Sequence, residues 1–239
     1  MTIIGAERHH PHLRPPPSKE YLLGTTEDTV PVVPPGWYAE NDVDLRLSAR
    51  VTGIRPDART VALDDSSTLS YSSLLHATGA APRTLHLPGS DIAGVSIFRT
   101  LDDSRRLRSS LAAGGGNVVM IGSGWIGMEL AAAAATFGNK RRELPASRLS
   151  AGTHRPRGAV TGMVTDSGEA LPADIVVIAV GVVPETGPAQ AAGLALDNRI
   201  LTDASLRTST PGIFAAGDIA NALHPSPASP TAASTGPMP

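Results

Sequence analysis

The 239-residue chain has no cysteine, which excludes disulfides, thiolate-held metals and catalysis by a cysteine pair. Aromatic residues make up 3% of it, too few for a base-stacking nucleic-acid surface. Neither sign of charge dominates: 20 Lys+Arg against 22 Asp+Glu leave a formal net charge of −2, interleaved along the chain. That balance provides no electrostatic footprint for nucleic acid or a membrane surface, and it favours small-molecule partners. Long apolar runs are missing as well, since the longest, around Ile175 to Val183, is too short to span a bilayer. Met1-Thr-Ile-Ile-Gly5 has no basic lead and does not read as a secretory signal, so the expected location is the cytoplasm. What is present is 41% hydrophobic residues, enough to build one large or two small cores.

The most specific motif is Asn117-Val-Val-Met-Ile-Gly122-Ser-Gly124-Trp125-Ile126-Gly127-Met-Glu129, running on into an alanine-rich stretch to Ala135. A short apolar strand passes through G-x-G-x-x-G into a helix, the context that makes this motif a dinucleotide-binding turn. Gly122 allows the tight turn and Gly124 lets the backbone approach a pyrophosphate. Gly127 lets helix and strand pack closely, and the helix N-terminus offers unpaired N–H groups to phosphate.

A second signal is an internal repeat at an offset of 102 residues. In one copy Asp64 to Leu69 leads to Leu74-Leu75-His-Ala77-Thr78-Gly79 and Pro82. In the other, Asp166 to Leu171 leads to Ile175-Val-Val177-Ile-Ala179-Val-Gly181 and Pro184. Each copy reads as a hairpin followed by a buried apolar strand that ends in glycine. Glycine at the carboxyl end of such a strand leaves room for a ligand, because open α/β sheets bind ligands beyond those ends.

Elsewhere the signals are local. Thr2-Ile-Ile-Gly5-Ala-Glu7 reads as a clipped apolar strand ending in an acid, the position that binds an adenosine ribose in a dinucleotide fold. His9, His10 and His12 lack a cysteine, an acidic cluster or helical spacing, so a solvated loop is preferred to a metal site. Prolines 15 to 17 forbid a helix until Ser18 can cap one. Gly36 to Asn41 suggests a short helix with Trp37 in the core, and Val43, Leu45 and Leu47 alternate as a strand. Thr100-Leu-Asp-Asp103 resembles a helix N-cap, and Gly114-Gly-Gly116 is the best candidate for a domain crossing. Leu201 to Asp218 gives two short strands around Pro211-Gly, ending in Gly217-Asp218, where a carboxylate can accept a hydrogen bond from a polyol chain. Pro225 to Pro239 reads as a disordered tail.

Taken together, Arg14-Pro-Pro-x-Ser-Lys19, Ala77-Thr78-Gly79, Phe98-Arg99-x-Leu-x-Asp103, Gly122-x-Gly-Trp-Ile-Gly-x-Glu129 and Ile213-Phe-Ala-Ala-Gly217-Asp218 resemble the ferredoxin/rubredoxin/putidaredoxin reductase family. The resemblance implies an α/β protein with two Rossmann-like nucleotide-binding domains. It also implies the cofactors FAD and NAD(P)H, and a ferredoxin or rubredoxin-like electron acceptor. By that resemblance Glu7 would hold the FAD ribose, Arg14 and Lys19 would approach the flavin and pyrophosphate, Arg99 would contact the cofactor, and Asp218 would bind the ribityl chain. Thr78, Gly79, Gly181 and Gly217 would lie against cofactor at the sheet ends, while Gly122, Gly124, Trp125, Ile126, Gly127 and Glu129 would line the NAD(P)H turn. Lys19 and Glu129 would form the ion pair beside flavin N5, where hydride arrives. No metal is implied.

The chain also departs from that pattern. The strand and glycine loop that would receive the FAD pyrophosphate are expected to be missing ahead of Glu7, and the C-terminal domain of the family to be replaced by low complexity. Lys140-Arg-Arg-Glu-Leu-Pro145 stands where an apolar strand ending in an acid belongs, and it reads as a solvated loop. Selection of an NADP 2′-phosphate by Arg141 and Arg142 is the less favoured reading, and Glu143 as a ribose ligand is weaker still. Ser150 to Arg157 reads as irregular. The expected division is a partial FAD-binding domain at 1–111 and 200–224, a shortened NAD(P)-binding domain at 112–199, and the tail at 225–239. The expected function is transfer of electrons from NAD(P)H through FAD to an iron–sulfur protein. The alternative is an inactive truncated remnant, or an NAD-binding or interaction module lacking flavin, in which lost strands leave open sheet edges.

Overall fold

The computed structural model describes residues 1–85, 88–145, 153–154 and 158–222. In chain order the strands are Thr2–Ile4 (β1), Asp44–Arg46 (β2), Val51–Arg55 (β3), Thr60–Leu63 (β4), Thr68–Ser70 (β5), Leu74–His76 (β6), Ala80–Pro82 (β7), Val95–Ile97 (β8), Asn117–Ile121 (β9) and Lys140–Leu144 (β10). They continue with Thr153–His154 (β11), Gly162–Val164 (β12), Ala170–Pro172 (β13), Ile175–Ile178 (β14), Val182–Pro184 (β15), Leu196–Asp197 (β16), Arg199–Thr202 (β17), Ile213–Ala215 (β18) and Ala220–Ala222 (β19). The α-helices are Glu20–Leu23 (α1), Trp37–Glu40 (α2), Leu101–Leu111 (α3), Trp125–Thr136 (α4) and Gly187–Ala191 (α5). The chain is thus α/β, and it divides into two compact units: Met1–Arg50 with Ala80–Val183, and Val51–Gly79 with Pro184–Pro239.

The first unit is built on a parallel sheet in the order β10-β9-β14-β8. Strand alternation divides β9 between two cores. Val118 and Met120 pack with Leu107 and Leu111 of α3 and with Leu130, Ala131, Ala133 and Ala134 of α4. Val119 and Ile121 pack on the other side with Leu144, Met163, Leu171 and Val176. Met120, Leu111 and Leu130 are fully buried, and each contributes about 2 kcal/mol by leaving water. The alanines of α4 are strong helix formers that let the helix approach the sheet. Helix α3 starts where the sequence places its cap. The Thr100 hydroxyl accepts from the Asp103 N–H, and the Asp103 carboxylate accepts from the Thr100 N–H. Also in this unit β1 pairs in parallel with β2, and β7 pairs with β15.

The second unit holds the antiparallel meander β3-β4-β5, the parallel pair β6 and β18, and the sheet β16-β17-β19. Here the repeat becomes visible. Displacing β4, β5, β6 and β7 by 102 residues lands on β12, β13, β14 and β15. Each copy is a three-stranded antiparallel meander, β3-β4-β5 or β11-β12-β13, followed by a strand of a parallel sheet. Gly79 and Gly181 follow those strands with φ of +66° and +95°.

Three readings need correction. Residues 140–144 are not a loop but the edge strand β10, in register from Lys140 beside Asn117 to Leu144 beside Ile121. An edge strand has one neighbour, so Lys140, Arg141, Arg142 and Glu143 stay exposed while only Leu144 is buried, and charge on such an edge blocks further pairing. Ser18 does not cap a helix: it closes a 3₁₀ turn at Pro16–Ser18, and α1 follows Lys19 with no side-chain cap. Tyr38, not Trp37, is the buried ring of α2, with Trp37 against it edge-on. Gly114 to Gly116 lies inside the first unit, and the chain passes between units at 50/51, 79/80 and 183/184. The tail at 225–239 and most of the stretch from Ser150 to Arg157 lie outside the described residues.

Candidate functional site

The G-x-G-x-x-G turn joins β9 to α4 in the first unit, and two of its glycines are demanded by contact. Gly122 sits at φ +104°, and a Cβ there would overlap the carbonyl oxygen of Ala179. A Cβ on Gly127 would overlap the carbonyl oxygen of Gly122, so this glycine is what lets the helix lie against the turn. Gly124 differs. It caps α4 in extended conformation (φ −73°, ψ 175°) with no side-chain cap, and among the described residues nothing lies within 4 Å of where its Cβ would stand. An open cradle therefore faces the first turn of α4, whose leading N–H groups have no intrahelical acceptor and suit an anion. Trp125, Ile126 and Met128 are exposed on that turn, Trp125 by 90%.

One turn along α4, Glu129 meets the segment before α1. Lys19 Nζ stands 3.5 Å from Glu129 Oε1, and the Ser18 hydroxyl donates to Glu129 Oε2 at 2.6 Å. One carboxylate thus divides its two oxygens between adjacent residues 110 and 111 positions away in sequence. The Lys19–Glu129 pair is the one the family resemblance implies, whereas the sequence pattern presents Ser18 only as a helix cap. Its partner lies on a distant helix, and no local pattern signals such a contact.

Glu7 and Arg14 also come together as an ion pair, with Arg14 Nη2 2.7 Å from Glu7 Oε1. The second oxygen, Oε2, is buried without a hydrogen-bond partner among the described residues. A buried carboxylate oxygen lacking a donor is costly, and a ligand hydroxyl would satisfy it. The residue Arg99 is half-buried beside the α3 cap, where its backbone N–H donates to Asp103 at 3.0 Å. Thr78, Gly79, Gly217 and Asp218 belong to the second unit. Thr78 donates to the Glu185 carbonyl at 3.4 Å, Gly217 has φ +77° with open space at its Cβ position, and Asp218 is exposed in the turn after β18. Gly181, in the first unit, accepts from the Arg83 N–H through its carbonyl at 2.9 Å.

A cluster the sequence did not reveal joins Asp102, in the first turn of α3, to Arg8 at 2.8 Å and His9 at 2.9 Å. These donors, Arg8 foremost, hold the Asp102 carboxyl down to about 2 from its ordinary 3.8. A depressed carboxyl contributes stability above its ordinary value and loses it as pH falls through the folded value. The stability gap between the native chain and Asp102→Asn should therefore be widest at neutral pH and close between about pH 4 and pH 2. Urea midpoints of both proteins across that range check this, and a gap independent of pH would refute the linkage. The histidines act separately: His9 joins Asp102, while His12 is buried with Nδ1 on the His10 carbonyl.

Comparison with known proteins agrees with this geometry. A family model described as pyridine nucleotide-disulphide oxidoreductase matches residues 1–149 and 146–236. The ferredoxin–NAD(+) reductase component of an anthranilate 1,2-dioxygenase system from Burkholderia cepacia is 38% identical, the match covering 94% of this chain and 63% of that protein. A rubredoxin-NAD(+) reductase of Pseudomonas putida is 30% identical over 94% of this chain and 66% of its own length. Among solved structures, the ferredoxin reductase for the CYP199A2 system of Rhodopseudomonas palustris superimposes with a TM-score of 0.85 at 31% identity, covering 93% of this chain and 62% of that one. The chain therefore spans a little under two thirds of the length of the relatives it matches. With the glycine turn, the Lys19–Glu129 pair and the repeated meander all in place, the chain belongs to the pyridine nucleotide-disulphide oxidoreductase family.

Proposed function

We propose that this chain binds FAD and NAD(P)H and passes electrons from NAD(P)H through FAD to a small iron–sulfur protein of the ferredoxin or rubredoxin type, acting in the cytoplasm. The observation that carries the reading is the Ser18-Lys19-Glu129 cluster one helical turn beyond the open cradle at Gly124. In this reading residues 1–111 and 200–224 supply the FAD side and 112–199 the NAD(P) side. The residues fit the cofactors on two counts. The unpartnered Glu7 Oε2 matches a ribose hydroxyl, and the space at Gly124 with the first turn of α4 matches a pyrophosphate. In this reading Arg14, Arg99 and Gly181 of the first unit, and Thr78, Gly79, Gly217 and Asp218 of the second, are each cofactor-binding, and Trp125 and Ile126 border the turn. The electron acceptor is assigned from the ferredoxin and rubredoxin reductases that the chain resembles. Among the described residues no helix is long and apolar enough to cross a membrane.

When bound, FAD supplies hydride acceptance and one-electron release. The chain's own residues provide the setting. Lys19 would supply a positive charge where the reduced flavin gathers negative charge, with Glu129 holding that ammonium in position and Ser18 fixing Glu129. No side-chain nucleophile takes part, consistent with a cysteine-free sequence. The test is the visible spectrum of the purified full-length chain. Stoichiometric flavin absorption that bleaches on adding NADH or NADPH is the expected result. A colourless protein that bleaches nothing after FAD is added would end the proposal. A colourless protein that dinucleotide nevertheless stabilises thermally would reduce it to NAD binding alone.

A further inference from the structure

Strand β10 decides which residue faces the adenosine ribose of a bound dinucleotide. It runs parallel to β9 with Leu144 abreast of Ile121, and the Gly122 N–H donates to the Leu144 carbonyl at 2.8 Å. Position 145 is therefore level with the first glycine of the dinucleotide turn. In βαβ dinucleotide folds the residue at the end of this second strand discriminates between cofactors. A carboxylate there accepts from the ribose 2′-hydroxyl of NAD, and a nearby arginine accommodates the 2′-phosphate of NADP.

Position 145 is an exposed proline. Its ring carries no charge, no acceptor and no N–H. The charged residues before it on β10 are placed elsewhere by the strand's geometry. Arg142 lies on the face of Leu144 and is spent on Glu169, at 2.8 Å. Arg141 and Glu143 share the face of position 145, but Arg141 is four residues back, roughly 13 Å along the strand, and Glu143 two residues back, roughly 7 Å. The arginine reading of NADP selection raised by the sequence thus fails on position, and the glutamate sits one strand repeat short of the ribose.

We infer that Pro145 makes the dinucleotide turn indifferent to the 2′ substituent, so that NAD and NADP bind with similar affinity. The inference rests on the proposed NAD(P)H-binding role of this turn. It assigns cofactor tolerance to one residue, and it implies that discrimination can be installed by restoring a side chain at that residue. Pro145 lies at the end of an edge strand, where proline and polar residues are both tolerated, so substitution there leaves the fold intact.

The experiment measures Kd for NAD⁺ and for NADP⁺ by calorimetry on the full chain, with no flavin chemistry involved. The native protein should bind the two within about threefold of each other. Pro145→Glu should shift the ratio toward NAD⁺ by about tenfold or more, through a hydrogen bond to the ribose and repulsion of the 2′-phosphate. Pro145→Arg should shift it toward NADP⁺ by a similar factor. A native preference of tenfold either way would overturn the inference, since a reader from another part of the chain would then be present. So would an unchanged ratio in both variants. Loss of an NAD⁺ preference in Glu143→Gln would transfer the role to Glu143. Binding of neither dinucleotide would instead remove the proposed function on which the inference stands.

Discussion

Gly122→Ala should destabilise the first unit by about 4 kcal/mol, roughly 3 from forcing a methyl into the Ala179 carbonyl and 1 from a left-handed backbone that alanine resists. Against a total stability of roughly 5 to 15 kcal/mol this approaches the threshold for folding, and the melting temperature should fall by about 10 °C. Gly124→Ala should behave in the opposite way. Its φ of −73° suits any residue, and no atom of the described residues lies within 4 Å of the new methyl, so stability should change by less than about 0.5 kcal/mol. What the methyl occupies is the space through which a pyrophosphate reaches the backbone, and dinucleotide affinity should drop about tenfold or more. Scanning calorimetry and dinucleotide titration of the two variants separate these roles. Equal stability losses in both, or unchanged affinity in Gly124→Ala, would show that the glycines shape the fold alone.

The same contrast explains what the sequence disclosed and what it concealed. The turn was legible because its motif is local: strand, glycines and helix lie within 20 consecutive residues, although the contact that demands Gly122 comes from Ala179, 57 residues further on. The meanders were legible for another reason. Two copies at a constant offset reinforce each other, and the strands fall 102 residues apart as the repeat requires. The strand β10 was concealed because a strand in a parallel sheet is expected to be apolar on both faces, a rule for central strands that an edge strand escapes. The clusters around Glu129 and Asp102 were concealed in part by distance. Ser18 reaches Glu129 across 111 residues, and Arg8 reaches Asp102 across 94. Composition cannot announce a contact between residues so far apart. The Lys19–Glu129 pair escaped this limit only through family resemblance, which carries pairings that spacing does not.

The Lys19–Glu129 pair is too weak to matter greatly for folding. Lys19 is 48% exposed and its nitrogen stands 3.5 Å from the carboxylate, a geometry worth less than about 1 kcal/mol of stability. Its expected effect is on chemistry. Lys19→Met should slow NADH-dependent bleaching of bound flavin by about 100-fold, the usual loss when one preorganised charge is withdrawn from a developing anion, while NAD⁺ affinity stays unchanged. Glu129→Gln should cost less, about tenfold, because it loosens the ammonium without removing it, and the Ser18 bond at 2.6 Å still has an oxygen to accept it. The two losses should not add. With Lys19 gone, Glu129 has no ammonium to position, so the double variant should match Lys19→Met to within about threefold. Stopped-flow reduction of the three proteins at equal flavin content measures this. Additive losses would mean that each residue acts independently, and bleaching at the native rate in Lys19→Met would place the ion pair among surface contacts with no part in electron transfer.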